Sequence, residues 1–148
     1  DYLQEAARLF IEIGDKMTLM DAYRLLAEVE LALEDVDEAI EYCQLSLRTA
    51  REIGNQEYEG IAYRVLGQVH RVLGRPEEAR RCLQDSVETL KTTGNRLELG
   101  RSTYELGLTL ATMGLDEGRK RLQQAVQIFE ELGVEGEMEK ARAALADS

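Results

Sequence analysis

One histidine, His70, and two cysteines, Cys43 and Cys82, are the residues best suited to nucleophilic or metal chemistry in this 148-residue chain. An activated nucleophile needs a base within hydrogen-bond reach and a third group to orient that base. No recognisable motif places a serine or cysteine beside His70 in that way. A structural zinc site needs paired thiolates or clustered histidines, and neither cysteine has a CxxC partner. Cys43 shares an apolar column with Leu83 and Leu122 and reads as core, while His70 shares one with Glu30 and Leu110 and reads as a packing or surface residue. No phosphate loop of the GxxxxGK type occurs. The carboxylates Glu38, Glu41, Glu77, Glu78 and Glu88 fall on helix surfaces, where solvation and the helix dipole account for them. Catalysis, a cofactor and a metal are therefore not expected.

Composition narrows the classes further. Lys and Arg number 18 against 29 Asp and Glu, a formal charge of −11. Such a surface repels phosphate backbones, which disfavours general nucleic-acid binding. No apolar run approaches the roughly 18 residues that span a membrane, and no basic-then-apolar segment opens the chain as a signal peptide does. The sparse, unpaired cysteines fit a reducing, cytoplasmic setting. One proline, many Ala, Leu, Glu, Arg and Gln, and 44% apolar residues suit long helices with a real core.

The elements that would position any site announce themselves by a period. Gly14, Gly54 and Gly94 are separated by forty residues each, and Gly133 follows one short of the next step. The pairs Gly14-Asp15, Gly54-Asn55 and Gly94-Asn95 read as helix stops, because glycine takes the left-handed C′ conformation cheaply. A second break falls halfway through each unit, at Glu34-Asp35-Val36, Gly74-Arg75-Pro76 and Gly114-Leu115-Asp116. Pro76 suits a first helical turn, and Asp35 and Asp116 are expected to cap their helices. Each unit is thus an αα-hairpin. Columns confirm the register: Leu26, Leu66 and Leu106; Ala27, Gly67 and Gly107; Ala39, Ala79 and Gly118; Ser46-Leu47, Ser86-Val87 and Ala125-Val126. Glycine inside a helix costs about 1 kcal/mol relative to alanine, so Gly67 and Gly107 imply close helix crossings.

Ala22-Tyr23 through Leu26-Ala27, then Asp37-Glu38-Ala39-Ile40-Glu41-Tyr42 and Ser46-Leu47, resemble the tetratricopeptide repeat. The likeness recurs at Tyr63, Leu66-Gly67, Glu77-Glu78-Ala79 and Ser86-Val87, and more weakly at Leu106-Gly107, Gly118 and Ala125-Val126. The unit is longer than the usual thirty-four residues and lacks the proline that ends the second helix. The resemblance implies an all-α, right-handed α-solenoid of antiparallel hairpins, about three repeats plus a half repeat at each end. Its expected divisions are a second helix of a truncated repeat at 1–13, repeats at 17–53, 57–93 and 97–132, and a capping helix at 135–146. The half repeat and the missing initiating Met suggest a piece of a longer array, with Leu3, Leu9 and Phe10 available for cover by an upstream segment or for self-association.

The resemblance also implies function: a protein–protein interaction module or scaffold that holds a partner peptide or protein in its concave groove. An alternative is the sensory or regulatory arm of a larger signalling protein or transcriptional regulator. First helices line the groove, so the expected peptide-binding residues are Arg24, Glu28, Arg64, Gln68, Arg71, Arg101, Tyr104 and Leu108. Arginine forks match carboxylates, which favours a partner with an acidic segment. The same arginines have a second reading, as partners of Glu28, Asp21 or Glu105 that only solubilise the face. The chaperone-tail-binding subtype clamps a carboxylate with Lys and Asn; its places hold Arg24, Glu28, Val65, Arg101 and Glu105, and the two glutamates oppose that ligand.

Overall fold

The structure is a computed structural model and describes residues 2–5, 28 and 36–148. Residues 2–5 and Glu28 are helical. Six further helices follow: α1 (Val36–Ile53), α2 (Gln56–Val72), α3 (Pro76–Lys91), α4 (Arg96–Thr112), α5 (Glu117–Leu132) and α6 (Glu135–Asp147). No strand occurs among the described residues. The expectations at Phe10, Gly14, Arg24, Leu26, Ala27 and Asp35 lie outside the described residues, as does most of 1–13 and the first half of 17–53.

Turn chemistry explains where each helix stops. Gly54 and Gly94 have φ of 71° and 78°, the left-handed region that glycine enters without penalty. The asparagine that follows each opens the next helix. The Asn55 side-chain oxygen accepts from the Tyr58 N–H and that of Asn95 from the Glu98 N–H, at 3.0 and 3.1 Å, satisfying donors that a helix start leaves orphaned. Asn95 Nδ2 also donates to Glu57 Oε1 at 2.7 Å, tying one unit to the one before. Replacing Asn95 by alanine is expected to lower stability by about 1 kcal/mol, read from the midpoint of a urea transition.

Pro76 sits in the first turn of α3. Asp116 departs from its expected role. Its backbone is already helical, with φ −59° and ψ −28°, and its side chain makes no cap hydrogen bond. In this tighter turn backbone carbonyls do the capping, the Gly118 N–H donating to Leu115 O and the Arg119 N–H to Asp116 O.

Consecutive helices pack as antiparallel neighbours, most extensively α2 on α3 and α4 on α5, with α3 on α4 and α5 on α6 linking the pairs. The core runs along the stack in successive clusters: Cys43 with Val65 and Leu66; Leu83 and Val87 with Leu106 and Leu110; Ala125 and Phe129 with Ala141. Burial pushes the Cys43 thiol up to about 12, with Glu28 and Cys82 adding to the effect. It therefore stays a neutral, packed side chain.

Glycines set the crossings. A Cβ on Gly67 would lie 2.6 Å from Leu83 Cγ, and one on Gly107 2.9 Å from Leu122 Cγ and 3.0 Å from the Leu122 backbone N. Gly60 and Gly100 repeat the device against Leu90 and against Ile128 and Phe129. Their forty-residue spacing was visible in the sequence but had no partner to mark it as packing.

Candidate functional site

First helices α2, α4 and α6, with Glu28 before them, bring their exposed faces together along one side of the stack. Between them lies a cavity of about 460 Å³, lined by Glu28, Arg64, Gln68, Arg101, Tyr104 and Glu105, and closed by Phe129, Glu137 and Lys140. A neighbouring hollow of about 520 Å³ continues along the α4–α6 seam, sharing Tyr104 and Lys140 and adding Leu108, Ala143 and Ala144. Of the residues expected in the groove, Glu28, Arg64, Gln68, Arg101 and Tyr104 converge on the first cavity, and Leu108 falls in the second. Arg71 lies beside them without lining either, and Arg24 lies outside the described residues.

The arginines are tied to carboxylates of the next unit. Arg64 is buried; its Nη2 meets Glu98 Oε2 at 2.6 Å, while Nη1 donates to Glu98 O and Ser102 Oγ at 3.2 and 3.1 Å. Ser86 continues this network, with its hydroxyl 2.6 Å from Gly60 O and 2.7 Å from Ser102 Oγ. The polar chain thus stitches α2, α3 and α4 with its groups satisfied, as buried polar groups require. Arg71 Nη2 meets Glu105 Oε2 at 2.7 Å, and Gln68 donates to Glu105 Oε1 at 3.1 Å. Arg101 donates through Nε and Nη2 to both oxygens of Glu137, at 2.9 and 3.1 Å, and through Nη1 to Glu98 Oε1.

These pairs form a ladder, Arg64–Glu98–Arg101–Glu137, running across the first helices. Hydrogen bonding from Arg101 is the main reason the Glu137 carboxyl ionises below the ordinary glutamate range. Burial raises the Tyr104 hydroxyl, with Glu105 reinforcing and Arg71 opposing it. The cavity lining holds three carboxylates (Glu28, Glu105, Glu137) and three cations (Arg64, Arg101, Lys140), so its charges balance. Lys140 stands apart: its ammonium lies 5.8 Å from the Tyr104 ring centroid, within cation–π range, and among the described residues no carboxylate lies within ion-pair distance of it.

Glu98, Glu137 and Lys140 were absent from the sequence-based site. A recurring offset of 34 residues between Arg64 and Glu98 and between Arg71 and Glu105 was the available signal. His70 is half-buried away from the cavities; burial, then Arg75, lowers its pKa against Glu78. Among the described residues no group of three or more His, Cys, Asp or Glu side chains is placed to hold a metal ion, and no helix is long and apolar enough to cross a membrane.

Residues 18–92 match the family model described as the tetratricopeptide repeat. No curated protein matches the chain. Solved structures do. Aspartyl phosphate phosphatase F from Bacillus subtilis superposes with a TM-score of 0.89 at 14% identity, over 97% of this chain and 38% of that one. A signal transduction ATPase with numerous domains from Pyrococcus horikoshii, whose description includes a tetratricopeptide repeat sensor, gives 0.78 at 18% identity, over 98% and 23%. BtubC from P. vanneervenii gives 0.67 at 21% identity, over 90% and 63%. The likeness establishes a helical solenoid fold, and this chain spans less than two thirds of each of those lengths.

Proposed function

The chain belongs to the tetratricopeptide repeat family, whose repeats generally mediate protein–protein interaction, and we propose that it works as a non-catalytic, cytoplasmic interaction module holding a partner segment along its first helices. The observation that carries this reading is the cavity shared by Glu28, α2, α4 and α6 and prolonged along the α4–α6 seam.

Within it the expected site residues take different parts. Tyr104 and Leu108 supply apolar contact, and Lys140 offers an unpaired ammonium to an acidic side chain of the partner. Arg101 is half-exposed and exchanges a carboxylate of its own for one brought in. Arg64, Arg71 and Gln68 hold the repeats at the spacing the groove needs, and Glu28 forms the opposite wall.

Because Arg64 is structural, the test uses the surface residues instead. A Tyr104→Ala, Lys140→Glu variant is expected to weaken a captured partner at least about tenfold, on the scale of one lost interface anchor. The measurement is titration of the purified partner against both proteins after pull-down. Equal affinity for the two removes the groove from the function.

A second reading, a sensory arm within a larger regulatory protein, draws support from the repeat sensor of the numerous-domain ATPase. On this reading, occupancy of the groove changes contacts with other domains of the parent protein. The same variant then alters the regulated activity of the parent protein.

A further inference from the structure

On the face of α4 turned away from the groove lies a crevice between the second helices α3 and α5. Groove residues 101, 104, 105 and 108 and crevice residues 96, 99 and 103 fall on opposite sides of α4 at 100° per residue. The crevice has a volume of about 270 Å³, a floor of Val87, Leu99 and Ile128, and a rim of Lys91, Arg96 and Arg121. No carboxylate lines it, although the chain carries −11 overall.

Each rim cation has a carboxylate neighbour that stands outside the crevice. Lys91 meets Glu88 at 3.3 Å and Arg96 meets Glu131 at 2.9 Å, all four side chains being at least half exposed. Such exposed pairs exchange readily with other anions. Arg121 is held less well still. Glu117 lies 3.5 Å from its Nε, Gln124 accepts from Nη1 at 3.4 Å, and Nε is buried without a hydrogen-bond partner. The guanidinium therefore has donor capacity left over. This contrasts with the groove, where Arg64 and Glu98 are almost enclosed and already saturated.

We propose that this crevice is a second docking site, taking a segment of a partner protein in which one large apolar side chain is flanked by carboxylates. The apolar floor accepts the side chain, whose size the volume matches, and the three cations meet the flanking acids. Charge complementarity selects the occupant, because the rest of so acidic a surface repels it. The site is separate from the groove and does not depend on that reading.

The probe is the peptide acetyl-Gly-Ser-Asp-Glu-Phe-Asp-Glu-Gly-Ser-amide, titrated into the ¹⁵N-labelled 148-residue chain and followed by amide shifts. Saturable shifts at Val87, Leu99 and Ile128 are expected. They should survive Tyr104→Ala and weaken at least about tenfold in Lys91→Glu, Arg96→Glu, and also when salt rises from about 0.05 to 0.5 M. Both charge-reversed positions are exposed, and an unchanged dispersion of the remaining amides verifies that the variant is folded. A peptide with Phe replaced by Ser, or with its acids replaced by amides, should lose most of the affinity. The proposal is overturned by shifts confined to the groove around Tyr104, by no shifts, or by equal binding of the charge-reversed variant or of either control peptide. Failure of the groove reading shows separately, in the Tyr104→Ala, Lys140→Glu comparison.

Discussion

Replacing Glu98 by alanine lowers the stability of the chain by about 3 kcal/mol, more than any exposed ion pair here can account for. Its carboxylate sits 2.6 Å from Arg64 Nη2, with the two side chains 13% and 10% exposed. Removing one partner of a buried pair leaves the other charge uncompensated in a poorly solvated place, at about 3–5 kcal/mol. The lower end applies because Arg64 keeps two neutral acceptors, the backbone oxygen of residue 98 and Ser102 Oγ. Glu98 also lies in the first turn of α4, where an acid gains some tenths of a kcal/mol from the helix dipole. The double variant Arg64→Met, Glu98→Leu removes both charges and fills the space, so it should return to within about 1 kcal/mol of the parent. Urea unfolding of the single and double variants measures the cycle. A cost below about 1 kcal/mol for Glu98→Ala would mean that water reaches the pair.

A second substitution reverses the usual sign of a helix rule. Glycine to alanine inside a helix ordinarily gains about 1 kcal/mol. At Gly118 the added Cβ would lie 2.4 Å from the backbone N of Ala111, 2.9 Å from its Cα and 3.0 Å from Gly107 O. Backbone cannot rotate away as a leucine tip can, so α4 and α5 must separate. Overpacking of this kind costs about 1–3 kcal/mol and at times more, and it acts against the propensity gain. A net loss of about 2 kcal/mol is expected for Gly118→Ala. The internal control is Gly136→Ala, where a Cβ meets nothing within 4 Å; there stability should rise by some tenths of a kcal/mol. Thermal or urea unfolding distinguishes them, and two variants of equal stability would show that the α4–α5 crossing has room to spare.

Gly118 also illustrates how far columns of aligned residues can be read. Its counterparts Ala39 and Ala79 are fully buried, and a small residue was expected in all three places. The third place differs in its position: Ala39 and Ala79 are the fourth residues of α1 and α3, whereas Gly118 is the second residue of α5, where a Cβ would meet the α4 backbone. Gly67 and Gly107 were legible for a different reason. A helical glycine has an energetic cost, so its repetition at one offset demands a compensating close approach.

The groove was legible in part. Glu28, Arg64, Gln68, Arg101 and Tyr104 line one cavity and Leu108 the neighbouring one. What their side chains do there was not legible. The arginines read equally well as ligand forks or as partners of nearby acids, and the acids they meet are Glu98, Glu105 and Glu137. Lys140 entered only because α6 packs over α4 and sets its ammonium above Tyr104.

By itself, the sequence determined the period, the apolar columns and the helical class. Those properties are local: glycine and asparagine act on the two or three peptides around them, and amphipathic spacing follows from 3.6 residues per turn. Tertiary structure decided which charges meet and which cavities remain. Ion pairing falls away over a few ångströms, and partners 34 or 36 residues apart are brought within 3 Å only by the crossing angle and rise of one helix pair on the next. Periodicity assigns a residue to a face of its helix; the packing of neighbouring helices decides what stands opposite that face.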